Sequence, residues 1–106
     1  NGPQFIEAAR VLGQSMLKKH GEDVDAMVVE MFRRLTSRTP TDREREILGR
    51  GFAEQLVYFE ADPKRAGAFL KIGKAPIDKS LPAARIAAAA MVANTLMNFD
   101  ECVMKR

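Results

Sequence analysis

The chain has 106 residues, 46% of them hydrophobic and 29% charged, with 17 Lys or Arg against 14 Asp or Glu and a formal net charge of +3. That length suits one domain around one core, and the composition excludes a disordered tail, a disulfide-stapled scaffold and a polybasic arm. Cys102 is the single cysteine, so one chain can build neither an internal disulfide nor a multi-cysteine zinc or iron–sulfur site.

The first residues, Asn1-Gly2-Pro3 rather than Met, lead us to expect a piece of a longer, multidomain protein, with residues 1–106 forming one helical domain. Pro3 suits a first helical position. Phe5, Ala9, Leu12 and Met16 then recur at offsets of four, three and four, an apolar stripe on a helix that ends near His20 with Gly21 as its cap. Asp23 caps a second helix, whose Val24, Met27, Val28, Met31 and Leu35 form the cleanest amphipathic stripe, widened by Phe32. Arg38-Thr39-Pro40-Thr41 breaks that helix, because residues before proline avoid helical geometry.

Thr41 followed by Glu44 reads as a capping box that opens a third helix, with Ile47, Leu48, Gly51, Phe52, Leu56 and Phe59 expected on its inner face. Asp62-Pro63 repeats the grammar of a helix start, and a short fourth helix carries Ala66, Phe69 and Leu70 up to Gly73. Residues 73–80 read as a loop from their Gly, Pro, Asp and Ser content. From Pro82 to Met97 the chain is apolar on all sides, as a helix enclosed by others requires. Asn98, a residue tolerant of left-handed geometry, is expected to stop it, and Asp100 to start a final turn through Val103 and Met104. The fold class expected is all-α, a compact bundle of about five helices around an apolar C-terminal helix. The apolar stretch 86–97, interrupted by Asn94 and Thr95, falls short of the ~20 residues that span a bilayer, so no membrane insertion is expected.

Three stretches taken together carry a family resemblance: residues 38–44; Ala61-Asp62-Pro63 leading through Phe69-Leu70 and Gly73-Lys74-Ala75-Pro76 to Asp78 and Leu81; and residues 91–101 with Asn98-Phe99-Asp100-Glu101. In their order and spacing the chain resembles the C-terminal domain of unknown function in large secreted proteins of planctomycetes and their relatives, which often carry a cytochrome c-type domain near the N-terminus. That family often has a tryptophan where this chain has Ala89, and Asn-Leu-Asp-Glu where it has residues 98–101. The resemblance implies an extracytoplasmic (periplasmic or secreted) location, a place at the C-terminus of a multidomain protein, other domains of the parent chain as partners, and no assigned activity. Any haem would belong to another domain, since no Cys-x-x-Cys-His is present.

Single residues point to no catalytic, metal or cofactor site. His20, the one histidine, has no second ligand at helical spacing, and its place in a last turn suits the helix dipole. Cys102 lies among Asp100 and Glu101, whose charge raises a thiol pKa. Glu7, Glu30, Glu46, Glu54 and Glu60 read as solvated polar faces. Arg33, Arg34, Arg38, Arg43 and Arg45 make the densest basic cluster, a candidate phosphate-binding patch diluted by Asp42, Glu44 and Glu46. Residues 39–48 are similar to the start of a helix-turn-helix regulator domain. The helix runs on through Gln55, Tyr58 and Phe59, where such a domain would turn, so nucleic-acid binding is not expected. No enzyme activity and no cofactor are expected. The leading reading is a structural or interaction module. The alternative is an accessory domain in which Lys74, Asp78 and Lys79, on a mobile loop, complete a site of the parent, for instance for an acidic polysaccharide.

Overall fold

The computed structural model describes the backbone of residues 3–98 and the side chains of residues 6–98. Phe5's side chain and the expected turn with Asp100, Glu101, Cys102, Val103 and Met104 lie outside the described residues. Five α-helices follow one another, α1 (Pro3–His20), α2 (Val24–Thr36), α3 (Asp42–Ala61), α4 (Pro63–Leu70) and α5 (Ala83–Met97), and no strand occurs among the described residues. The molecule is the all-α bundle that the sequence predicts.

Local chemistry sets most boundaries. Gly21 (φ 61°) ends α1, its N–H donating to the Leu17 carbonyl at 2.8 Å, a conformation in which a Cβ would be strained. Asp23 caps α2 by accepting from the Ala26 N–H at 3.1 Å. α2 ends at Thr36, two residues before the predicted break at Arg38-Pro40: Ser37 turns left-handed (φ 66°) and its N–H donates to the Arg33 carbonyl, while the Thr36 hydroxyl bonds back to the Phe32 carbonyl at 2.7 Å. The box that opens α3 is complete, with Glu44 N–H donating to the Thr41 hydroxyl at 3.1 Å and Thr41 N–H donating to the Glu44 carboxylate at 2.8 Å. Asp62 and Pro63 start α4 as expected. Asn98 does not adopt left-handed geometry (φ −95°); its side-chain amide instead donates to the Asn94 carbonyl at 2.8 Å.

α5 packs against each of the other four helices, most extensively against α1. Ile86, the run Ala87–Ala90, Ala93 and Leu96 are fully buried. Met16, Met27, Val28, Met31, Phe32 and Phe52 close around it. The α1–α5 approach is closer than side chains allow. A Cβ at Gly13 would lie 2.7 Å from the Ala90 nitrogen and 2.8 Å from the Ala89 carbonyl carbon, both backbone atoms. One face of α1 therefore touches the backbone of α5, and the alanines flanking that point permit it.

On α3 the inner face is narrower than predicted. Leu48, Phe52 and Phe59 are buried, but Ile47 is 50% exposed, because it sits about 100° around the helix from Leu48. Gly51 likewise leaves open space where a side chain would stand.

The two kinds of helical glycine give opposite expectations. Gly13→Ala should lower stability by roughly 1–3 kcal/mol, since the clash is with backbone that no rotamer change relieves, against about 1 kcal/mol gained in helix propensity. Gly49→Ala, with open space around its Cβ position, should gain about 0.5–1 kcal/mol. Leu96→Ala, fully buried, should cost ~2–5 kcal/mol, and Ala89→Trp should prevent the native α1–α5 approach. Urea melts of the four variants check this ordering; a Gly13→Ala protein as stable as Gly49→Ala would contradict it.

Candidate functional site

Glu7, Arg10, Gln14 and Lys18 follow one another along α1 at offsets of three, four and four, which places them on one face. All four engage the segment between α4 and α5. The Glu7 carboxylate accepts from the Lys74 N–H at 2.8 Å and from the Ala75 N–H, while Arg10 Nη2 donates to the Ala75 carbonyl at 2.7 Å. Gln14 accepts from the Asp78 N–H at 3.1 Å, and Lys18 pairs with the Asp78 carboxylate at 3.5 Å. Asp78 also accepts from the Ser80 hydroxyl and N–H; these bonds, followed by Lys18, hold its carboxyl below the usual range. Gly73, at φ 86°, brings the chain against the Glu7 side chain, which a Cβ would overlap. Ile77 and Leu81 pack against the core.

The loop 73–80 is thus fastened to α1 along its length, which corrects the expectation of a mobile loop. Asp78 is a structural link within it. Lys74 and Lys79 are exposed, and among the described residues no side-chain ion pair engages them. Arg10 is 1% exposed, with Nε and Nη1 enclosed and without a hydrogen-bond partner among the described residues, a costly burial on the side of α1 where the loop is held.

Glu30 was expected on a solvated face and instead is a hub. It meets His20 at 2.7 Å, Lys19 at 3.0 Å and Arg34 at 2.6 Å. The bond to His20, then that to Lys19, pull its carboxyl from 4.5 to about 2. His20 accordingly sits at the junction of α1 with α2 as a hydrogen-bond partner of Glu30.

The five arginines of the predicted basic patch do not form one free surface. Arg34 is bound to Glu30. Arg38 grips both oxygens of Glu44 at 2.9 and 2.7 Å and stacks over the Phe32 ring at 4.7 Å, tying the α2–α3 corner. Arg45 spans from Asp42 to Asp25 on α2, at 3.1 and 2.9 Å, pairs that raise its pKa, Asp25 first. Arg43 is exposed, and Arg33 borders a surface depression with Val29, Glu30, Arg34 and Ser37. α3 runs unbroken for 20 residues, without the tight turn that a helix-turn-helix needs at that point.

A groove of about 170 Å³ runs between α3 and α5, lined by Ile47, Leu48, Gly51, Gln55, Met91 and Thr95 among others. It is smaller than the ~300–1,000 Å³ of small-molecule sites and suits an inserted side chain. Among the described residues there is no group of three or more His, Cys, Asp or Glu placed to hold a metal, and no helix long and apolar enough to cross a membrane. Comparison with protein families, with curated proteins and with solved structures finds no match.

The sequence pattern put Glu7 and Glu30 on solvated faces and singled out neither Arg10 nor Gln14. The regular spacing of Glu7, Arg10 and Gln14 was the available signal: a polar row on a helix has a reason when a loop must be held across it.

Glu44 supplies a pH test. Its carboxyl falls from 4.5 to about 2, chiefly through Arg38 and then the Thr41 N–H. A depressed carboxylate pKa adds stability that is present above pH 4.5 and lost as the pH falls toward 2. Glu44→Gln keeps a capping side chain and loses the charge. It should cost up to about 1 kcal/mol at pH 7, a difference that shrinks between pH 4.5 and 2. Melts across that range check it; a difference independent of pH would contradict the assignment.

Proposed function

We propose that the chain is a non-catalytic interaction module that organises a longer, extracytoplasmic parent protein, docking protein surface onto the outer side of α3. One observation carries this reading: among the described residues the exposed large apolar side chains are Val11, Ile47, Val57 and Tyr58, three of them on α3. Of these, Ile47 lines the α3–α5 groove beside its open Gly51 notch. Three exposed apolar side chains on one helix, one of them at a concave notch, favour a protein partner over scattered surface exposure. The charged groups whose proton affinities depart furthest from normal, Glu30 and Glu44, sit in ion pairs at helix junctions, which supports a structural rather than a catalytic use of charge. The compartment and the C-terminal position rest on the family resemblance.

Val57→Glu tests the docking surface. Val57 is 68% exposed, so in the isolated chain the substitution should change stability by no more than about 0.5 kcal/mol. In the full parent it should change the mass or hydrodynamic radius and open new protease sites. A parent whose mass, radius and cleavage pattern are unaltered would overturn the reading.

A further inference from the structure

We infer that the partner covering α3 is a second copy of this chain, in an antiparallel two-fold pairing of α3 with α3. The inference rests on the proposed docking role of α3 and names its occupant.

The outer row of α3 is self-complementary. Taking Phe52 as the midpoint, Arg50 and Glu54 stand two residues to either side, and Ile47 and Val57 five residues to either side. A two-fold axis at that level, perpendicular to the helix, exchanges these positions. Arg50 of one copy then meets Glu54 of the other, and Ile47 meets Val57, each pair formed twice, as an isologous interface requires. Tyr58, next to Val57 and 50% exposed, extends the apolar end of the row. A parallel pairing would instead oppose Arg50 to Arg50 and Glu54 to Glu54.

The charges are available for this. Glu54 has no ion pair among the described residues, and Arg50 reaches Glu46 only at 3.6 Å with both side chains about two-thirds exposed. Gly51 flanks the same row. It lies next to the midpoint of the 20-residue helix, and nothing in the protomer occupies the space a side chain would take there. Small residues at a helix crossing let two helices approach closely, so the notch receives a side chain of the second copy where the protomer itself leaves room.

Sedimentation equilibrium of the 106-residue chain over a wide concentration range, at low salt, tests the pairing. The expected result is a monomer–dimer equilibrium. Arg50→Glu and Glu54→Arg should each weaken it by at least about tenfold, because each creates two like-charge contacts. The double variant R50E/E54R should return it to near the original strength. All the substituted side chains are exposed, and unchanged thermal melts verify that folding is intact. A monomer at every concentration, or single variants that weaken the dimer without rescue in the double variant, would overturn the pairing. A monomeric chain whose parent still responds to Val57→Glu would remove the second copy and leave the docking surface standing. A monomeric chain with an unresponsive parent would remove both.

Discussion

The backbone contact between α1 and α5 at Gly13 sets the geometry of the whole domain. Helix axes that approach with a glycine on one side and Ala89 and Ala90 on the other leave no space for side chains between them, so neighbouring residues must interlock around that point. Met16, Ile86 and Leu96 are fully buried in the same core. The loop that precedes α5 runs along α1, from Glu7 past Gln14 to Lys18, and leads into this crossing. The polar row on α1 and the small-residue crossing are therefore two parts of one arrangement: the first aligns the chain and the second locks it.

Charge is used to fix corners. Glu30 gathers His20, Lys19 and Arg34 where α1 and α2 meet. Arg38, Glu44 and Thr41 build one hydrogen-bonded unit where α2 turns into α3, and Arg45 braces the same pair of helices through Asp25. These pairs consume much of the basic cluster between residues 33 and 45. Of the four exposed large apolar side chains on the described surface, Ile47, Val57 and Tyr58 lie on α3, the helix proposed to dock a partner.

Much of the fold was legible from local chemistry. Asp23, Thr41 with Glu44, Asp62 with Pro63, and Gly21 each act within four residues of themselves, and each marks the boundary that its chemistry implies. What escaped the sequence is non-local. Nothing near Gly13 announces that α5 will lie on it, and Glu7 finds its partners 67 and 68 residues away. Ile47 was misassigned to the inner face because it fits an apolar stripe beside Leu48; only the position of α5 decides which side of a broad stripe is covered. That misassignment is the most informative one for the candidate surface, since an apolar residue left outside is what marks α3 as a face in want of a partner.

Native-state hydrogen exchange tests the central role of the α1–α5 crossing most directly. If the contact at Gly13 holds the domain together, amides of α1 around residue 13 and of α5 around residues 89 and 90 exchange only through global unfolding, with equal opening free energies and equal denaturant dependence. Exchange of the α1 amides through a smaller, local opening, while α2, α3 and α5 stay protected, would contradict the account.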